Sequence, residues 1–319
     1  RSSDLVAVES DHGKFPSMKA AKYLGPGAVI LAAVLWAVDG LLRQNLSEVP
    51  AFQIILLEHA IGAVVFLPVL IRGWKEVTAL RERAWISVAW VSILGGIVGT
   101  VAYTKALSYV DYIDLTVVVL LQKLQPLFAI SLAAVVLKEK LTKRFFLLAA
   151  GALLGGYLVT FGSGSMAQMS EKAMMAALLA FVAAFAWGSS TVLGKHALKR
   201  LSFFTLTALR LWVTAIVAGA IFFTLRPRSD SLALSSDQWT TILIIVFSTG
   251  SVALFIYYFG LKRIPASHSA IYELFWPMTA VIFDWVLKDR ILQPIQILGA
   301  VLLLAVSITL PKESQTENS

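Results

Sequence analysis

Ten stretches of apolar residues, separated by short polar connections, set the pattern of this chain. Each stretch is close to the ~20 consecutive apolar residues that an α-helix needs to cross a bilayer. The pattern therefore predicts an all-α polytopic membrane protein with ten transmembrane helices, joined mostly as antiparallel hairpins. The predicted spans are Gly27–Leu46, Ala51–Ile71, Ala84–Leu107, Leu115–Leu137, Phe145–Phe161, Ala173–Gly194, Phe203–Leu225, Trp239–Leu261, Ala266–Leu287 and Pro294–Leu310.

Composition agrees with this class and narrows the partners. The chain is 58% hydrophobic and 14% charged, whereas soluble domains carry about 25% charged residues. A formal charge of +8 would suggest nucleic acid in a soluble protein. Here the basic residues lie in short loops between spans, so we expect no nucleic-acid partner. The chain has no cysteine, which excludes disulfides and cysteine-built metal sites.

Lysine and arginine give the predicted orientation, because cytoplasmic loops are enriched in them. If the N-terminus is inside, 18 of the 27 basic residues fall in tails and loops on that side, 6 at the outer ends and 3 within spans. We therefore expect both termini to be cytoplasmic, in a bacterial-type inner membrane. The polar N-terminal tail lacks the order of a cleavable signal peptide.

The two halves of the chain are similar at a spacing of 151 residues. Trp36 falls on Trp187, and Pro126 falls on Pro277. Each half contains five predicted spans, and an odd number reverses the second half in the membrane. The sequence therefore predicts an inverted repeat of the kind found in transporters, with ligand sites at the repeat interface.

Two local motifs sharpen this picture: AWGSSTVLGK at Ala186–Lys195, and KEKLT at Lys138–Thr142 after the proline-containing fourth span. Together with the two five-span halves, they resemble the EamA branch of the drug/metabolite transporter superfamily, over nearly the whole chain. The resemblance implies a ten-helix carrier. The first four helices of each half would enclose a central cavity, and the fifth and tenth would lie at the periphery. Family substrates include amino acids, other small metabolites, nucleotide sugars and drugs.

This resemblance divides the chain into five parts. They are a cytoplasmic tail 1–25, a first five-helix repeat 26–161, an outer linker 162–172, a second five-helix repeat 173–311 and a cytoplasmic tail 312–319.

Polar residues inside the fourth and ninth spans are the strongest candidates for a substrate site. A charge at mid-span costs about 2.5–3.5 kcal/mol on insertion scales and usually faces the bundle interior. Lys123 and Glu273 lie within one position of repeat equivalence. They either hold opposite ends of a zwitterion or form a structural ion pair. The same turns carry hydrogen-bonding groups at Gln122 and Tyr272, and candidate hinges at Pro126 and Pro277.

Two further charges lie about seven residues into the second and seventh spans, a depth of about 10 Å. They are Glu58 and Arg210, which either line the cavity or pair structurally. Asp39 and Arg43 are four residues apart, on one helix face, and form either an outer gate or a salt bridge at the rim. Candidate aromatic walls of the cavity are Trp36, Trp187, Tyr103 and Tyr257.

No enzyme signature emerges. The four histidines lack metal-ligand spacing and no nucleotide motif is present, so we expect no catalytic residue, metal or cofactor. The sequence predicts a secondary-active transporter that works by alternating access. Its expected substrates are small polar or zwitterionic metabolites, and amino acid export is one such activity. The alternative is an exporter of lipophilic or quaternary-ammonium drugs, ahead of a membrane-embedded enzyme or a sensor. Its partners are a small-molecule substrate and the lipid bilayer; a coupling proton and a homodimer stay open.

Overall fold

The computed structural model describes residues 18–46, 48–107, 124–161, 171–225, 233–287 and 293–316. These residues are helical apart from short connections, and none of them forms a strand. In the first half the helices are α1 (Met18–Leu42), α2 (Ala51–Val65), α3 (Leu67–Arg72), α4 (Trp74–Thr78), α5 (Glu82–Trp90), α6 (Gly99–Leu107), α7 (Gln125–Leu132) and α8 (Lys143–Phe161). In the second half they are α9 (Glu171–Ala197), α10 (Phe203–Leu225), α11 (Ser236–Ile245), α12 (Ser251–Arg263), α13 (Ala266–Tyr272), α14 (Phe275–Leu287) and α15 (Pro294–Thr316).

The all-α prediction is confirmed for the described chain. Five helices are long and apolar enough to cross a membrane, namely Tyr23–Leu42, Glu82–Ala106, Met174–Ala197, Phe203–Thr224 and Ser236–Arg263. Shorter apolar helices cover Ala51–Val65, Gln125–Leu137 and Pro294–Leu310. The predicted fourth span, Leu115–Leu137, is described only from residue 124 onward, and the predicted linker 162–172 only from residue 171. The chain is an integral membrane protein.

Three helical stretches contain π-helical segments, at Val91–Val98, Ala133–Leu137 and Val246–Gly250. The first joins α5 to α6, and the third joins α11 to α12. Short π-helical segments inside α-helices occur frequently at functional sites, because the extra residue per turn redirects the side chains. The first and third segments both contribute to the cavity described below.

Connections that the charge pattern assigns to the cytoplasmic side meet at one end of the helices. The Glu139 carboxylate accepts hydrogen bonds from the backbone N–H groups of Ala266 at 2.7 Å and Ser267 at 3.1 Å. It thereby caps the N-terminus of α13, where negative charge is favourable. Lys262 Nζ donates to the carbonyl oxygen of Leu201 at 2.7 Å. The loops after α7, α9 and α12 are therefore neighbours.

Glycines allow the backbones of neighbouring helices to approach closely. A Cβ atom on Gly155 of α8 would lie 2.8 Å from the carbonyl oxygen of Gly299 in α15. A Cβ on Gly260 of α12 would lie 2.8 Å from the carbonyl oxygen of Gly25 in α1. Small residues at such positions let helix backbones approach closely in membranes. The glycines of the fifth predicted span thus pack within the fold.

Candidate substrate cavity

A cavity of about 560 Å³ lies between the two halves of the chain. This volume falls within the ~300–1,000 Å³ of typical small-molecule sites. Side chains from α1, α2, α6, α7, α9, α10, α12 and α14 line it, together with the π-helical segments Val91–Val98 and Val246–Gly250. Helices that are distant in sequence therefore line one cavity.

Five aromatic side chains form two walls of the cavity. The ring of Trp36 lies 5.1 Å from that of Tyr257, centroid to centroid. Tyr103 contacts Trp187 at 5.4 Å and Trp276 at 5.9 Å. Such rings offer large flat faces at distances typical of aromatic packing. The cavity can therefore accommodate a planar or aromatic group.

A charged network, which we call the Arg43 network, joins α1, α2 and the π-helical segment after α11. Arg43 donates from Nε to Asp39 and from Nη2 to Glu58 Oε2 at 2.9 Å. Thr249 donates to Asp39 Oδ1 at 2.8 Å. Asp39 and Arg43, for which the sequence left a gate and a salt bridge as alternatives, form an ion pair. Its arginine is shared by two carboxylates, one of them 15 residues away in sequence.

A second carboxylate, Glu273, is held by neutral donors in what we call the Glu273 network. Its Oε1 atom accepts hydrogen bonds from Tyr257 at 2.8 Å, Thr191 at 3.2 Å and Ser269 at 3.2 Å. Its Oε2 atom accepts from Gln125 Nε2 at 2.6 Å. Both oxygens of this carboxylate are therefore occupied by donors from α7, α9, α12 and α13.

The helix break between α13 and α14 positions Glu273. Proline lacks the N–H that would normally bond to the carbonyl four residues earlier. Pro277 therefore cannot donate to Glu273, whose carbonyl oxygen instead accepts from Trp276 N at 3.1 Å. The backbone turns at Glu273 and Leu274 before helix α14 begins. Pro126 occupies the corresponding place in the first turn of α7.

Arg210 lies on another part of the wall. Its Nη1 atom donates to the hydroxyl of Tyr258 at 2.8 Å. A Cβ atom on Gly95 would lie 2.5 Å from Ser190 Oγ and 3.3 Å from Arg210 Nη2. Because residue 95 is glycine, the side chains of Ser190 and Arg210 can both lie against the backbone at this position. We call this pair the Ser190–Arg210 corner.

Three buried polar atoms in the cavity wall have no hydrogen-bond partner among the described residues. They are Glu58 Oε1, Ser190 Oγ and Arg210 Nε. The Glu58 and Ser190 side chains are both 6% exposed. Buried polar groups in proteins are almost always paired, so unpaired ones in a cavity wall are candidates for contact with a ligand.

The cavity brings together most of the candidate residues from the sequence. Its lining includes Trp36, Asp39, Arg43, Glu58, Tyr103, Trp187, Arg210, Tyr257 and Glu273. Tyr272 is fully buried and does not line the cavity. Pro126 and Pro277 are buried behind it. Gln122 and Lys123 lie outside the described residues, so the proposed contact between Lys123 and Glu273 stays a prediction.

Sequence reasoning missed several hydroxyl-bearing residues of the lining. Ser190, Thr191 and Thr249 all line the cavity. Serine and threonine inside a span usually bond back to their own helix, so they give no sequence signal of their own. They could have been found only by comparison with the corresponding positions of the other repeat, or from the π-helical segments. Among the described residues, no group of three or more histidine, aspartate or glutamate side chains forms a metal site.

The family of EamA-like transporters matches residues 24–161 and again residues 174–310. The chain belongs to the EamA-like transporter family. It is 36% identical over 288 residues to a protein of Fusobacterium nucleatum named riboflavin transporter ImpX, covering 89% of this chain and 96% of that protein. It is 27% identical to Protein LicB of Haemophilus influenzae, covering 88% of this chain and 95% of that protein.

One solved crystal structure resembles this EamA-family transporter with a TM-score of 0.71, covering 94% of this chain and 99% of the other. At 18% identity this likeness shows the fold alone. An uncharacterized transporter of Bacillus subtilis, YoaV, is 24% identical over 86% of this chain and 92% of its own length.

Proposed function

We propose that this EamA-family transporter is a secondary carrier of riboflavin or a closely related flavin. The observation that carries the proposal is its similarity to the protein named riboflavin transporter ImpX, at 36% identity over 89% of this chain. The proposal also requires that the cavity suit the substrate. The chemistry of the cavity supports a flavin in two respects.

The first respect is the aromatic lining. Riboflavin has a flat three-ring system, and two groups of aromatic side chains line the cavity, Trp36 with Tyr257 and Tyr103 with Trp187 and Trp276. Offset stacking and edge-to-face contacts add stability beyond the burial of apolar area. A purely aliphatic substrate would not use the faces of these rings.

The second respect is the set of polar groups between the walls. Riboflavin carries ring carbonyls and a chain of hydroxyls, which require both donors and acceptors from a binding site. The lining supplies arginine and hydroxyl donors at Arg210 and Ser190, and a carboxylate acceptor at Glu58. An apolar cavity with a few directed polar groups is typical of small-molecule sites.

A small zwitterion such as an amino acid is the second candidate, because the lining holds both Arg43 and two carboxylates near it. Arg43 is already shared between Asp39 and Glu58, so it has less capacity for a substrate carboxylate. This arrangement favours the flavin over the amino acid. A quaternary-ammonium drug remains a further candidate, because aromatic rings bind such cations.

The proposed carrier has ten membrane-spanning helices in two inverted five-helix repeats and works by alternating access. Two matches to one family, at residues 24–161 and 174–310, support the division into repeats. The five predicted spans in each repeat, an odd number, support the inversion. We propose that the halves rock around the cavity, with the helix turn before Pro277 as one hinge.

The proposed orientation places both termini in the cytoplasm, with the carrier in a bacterial inner membrane. A cleft between the loop before α5 and the loop after α9 brings together Arg81, Arg83, Lys199 and Arg200. Basic residues concentrate on the cytoplasmic side of membrane proteins. That both loops contribute to one basic cleft supports their location on the same side.

Ligand-dependent thermal stabilisation of the detergent-purified protein tests the substrate class. The panel contains riboflavin, single amino acids and tetraalkylammonium ions. A ligand at 100 times its Kd stabilises by about 2.7 kcal/mol. We expect riboflavin to stabilise the wild type and the control Trp239→Leu, whose tryptophan is 41% exposed. It should not stabilise Trp187→Leu.

Stabilisation by an amino acid, and not by riboflavin, would contradict the flavin proposal and favour the zwitterion. Stabilisation by the quaternary ammonium alone would favour the drug-export reading. Equal stabilisation of Trp187→Leu and Trp239→Leu by riboflavin would place the flavin outside this cavity.

A further inference from the structure

The unpaired polar atoms of the cavity wall form two chemically different sets. Ser190 Oγ and Arg210 Nε lie at the Ser190–Arg210 corner, on α9 and α10. Glu58 Oε1 belongs to the Arg43 network on α2. The guanidinium can only donate hydrogen bonds, and an ionised carboxylate can only accept them. A ligand that satisfies both sets must therefore present acceptors at one end and a donor at the other.

The Ser190–Arg210 corner lies beside the aromatic wall. Ser190 is three residues after Trp187 on α9, so both side chains are on one face of the helix. The indole Nε1 of Trp187 donates to the carbonyl oxygen of Gly95 at 3.1 Å. Gly95 is also the residue beside Ser190 Oγ and Arg210 Nη2. The edge of the Trp187 indole therefore lies beside this corner, so a ring packed against Trp187 is within reach of it.

The Arg210 guanidinium keeps donor capacity for that edge. Its Nη1 atom is used by the Tyr258 hydroxyl at 2.8 Å, and the ring of Tyr258 lies 5.8 Å from the guanidinium carbon. These contacts fix the plane of the guanidinium. The Nε–H group has no partner among the described residues, so it is available to a ligand. Arginine held in this way suits a carbonyl oxygen, because its donors have fixed directions.

Glu58 offers a single acceptor. Its Oε2 atom is taken by Arg43 at 2.9 Å, which leaves Oε1 as the atom without a partner among the described residues. The one ring N–H of riboflavin lies between two carbonyl groups, on the edge that suits the corner. The remaining donors of riboflavin are the hydroxyls of its sugar-alcohol chain. The acceptor of Glu58 therefore fits the chain and not the ring edge.

We propose that the Ser190–Arg210 corner binds the dioxopyrimidine edge of a flavin and that Glu58 binds a hydroxyl of its chain, an assignment that rests on the flavin-carrier proposal. It fixes the direction in which the substrate lies in the cavity. The Ser190–Arg210 corner and Glu58 would then determine specificity from opposite ends of one ligand.

A crossed comparison of two ligands and three variants tests this orientation. The ligands are riboflavin and lumichrome, which has the same ring carbonyls and no sugar-alcohol chain. The variants are Ser190→Ala, Arg210→Lys and Glu58→Gln. Binding is measured by quenching of the ligand's own fluorescence in detergent. Melting without ligand shows whether each variant is folded.

Loss of a neutral hydrogen bond weakens binding by about 2- to 10-fold, and loss of a charged one by about 10- to 100-fold. We expect Ser190→Ala to weaken both ligands about fivefold, and Arg210→Lys to weaken both at least about tenfold. Glu58→Gln presents its amide oxygen to Arg43 and its NH₂ group to the cavity. It should weaken riboflavin about fivefold and leave lumichrome unchanged.

Matched controls separate these contacts from general effects on the fold. Ser307→Ala removes an equally buried hydroxyl that bonds to Leu303 in α15, away from the cavity. Arg263→Lys changes an arginine that lies on the Phe259 ring, outside the lining. Neither should change the Kd of either ligand.

Each of the following outcomes contradicts one part of the proposed orientation. Unchanged binding in Ser190→Ala and Arg210→Lys removes the corner from the site. Equal weakening of both ligands by Glu58→Gln removes the assignment of the chain, and weakening of riboflavin alone by Ser190→Ala reverses the orientation. If the folded wild type binds neither ligand, the flavin-carrier proposal itself fails and this assignment falls with it. A folding defect in Glu58→Gln moves the test to Glu58→Asp, which withdraws the same oxygen and should again affect riboflavin alone.

Discussion

The cavity wall contains two buried carboxylates that are stabilised in different ways. Glu58 is paired with a cation, Arg43, which it shares with Asp39. Glu273 is surrounded by four neutral donors from Gln125, Tyr257, Thr191 and Ser269. The first arrangement concentrates its stability in one arginine, whereas the second distributes it over several helices.

This difference separates two roles. One oxygen of Glu58, a residue of the cavity lining, remains without a partner among the described residues. Both oxygens of Glu273 accept hydrogen bonds that connect α7, α9, α12 and α13. Glu58 is therefore suited to a ligand contact, and Glu273 is suited to hold the helices of the cavity together in this conformation.

Removal of the shared arginine should have the largest effect. Arg43→Ala leaves the carboxylates of Asp39 and Glu58 without their cation in a site where Glu58 is buried and Asp39 is partly buried. Breaking a buried ion pair on one side costs about 3–5 kcal/mol. We expect a correspondingly large drop in the free energy of unfolding, measured by thermal denaturation in detergent. The control Arg72→Ala, at an exposed position, should change it by less than about 0.5 kcal/mol.

A loss below about 1 kcal/mol in Arg43→Ala would contradict the Arg43 network, because so small a cost is typical of solvent-exposed ion pairs. It would mean that water already screens these charges and that the two carboxylates are not as different as the geometry indicates.

The hydroxyl of Thr249 should have a smaller but measurable effect. Thr249→Val keeps the shape of the side chain and removes the 2.8 Å hydrogen bond to Asp39. We expect a loss of about 1.5 kcal/mol, since the acceptor is charged and has few other donors. The matched control is Thr279→Val, because Thr279 is 7% exposed and bonds only to the Phe275 carbonyl of its own helix. Equal losses in both variants would show that the bond to Asp39 contributes nothing specific.

The distributed network should tolerate the loss of one donor best. Tyr257→Phe removes a 2.8 Å hydrogen bond to Glu273, but three donors remain. We expect a loss of about 0.5–1 kcal/mol in the free energy of unfolding, less than in Thr249→Val. Tyr23→Phe, at a position 47% exposed, provides the control. A larger loss in Tyr257→Phe than in Thr249→Val would reverse the comparison between the two networks.

The sequence predicted the helical fold and much of the cavity wall, because its signals were strong. A charge within an apolar span is costly and rarely faces lipid, so Glu58, Arg210 and Glu273 could be assigned to the interior. Matched tryptophans at positions 36 and 187 indicated a shared aromatic wall. The i,i+4 spacing of Asp39 and Arg43 placed them on one helix face, which left an outer gate and a salt bridge as alternatives.

Contacts between sequence-distant helices could not be predicted in the same way. The bond from Arg43 to Glu58 depends on how the residues after α1 approach α2, and the bond from Gln125 to Glu273 on how α7 approaches the turn after α13. Tyr272 shares a turn with Glu273, yet it is buried in the core, because the helix turn at Glu273 directs the two side chains differently. Spacing along one helix gives a face, whereas the partner of that face is set by packing.

The most direct test of the flavin-carrier account is riboflavin exchange in proteoliposomes. Vesicles that contain the purified protein are loaded with unlabelled riboflavin, and entry of labelled riboflavin from outside is followed over time. The account predicts transient accumulation of label in wild-type vesicles, abolished in Trp187→Leu and retained in Trp239→Leu. No accumulation above protein-free vesicles, from folded wild-type protein that exchanges an amino acid instead, would contradict it.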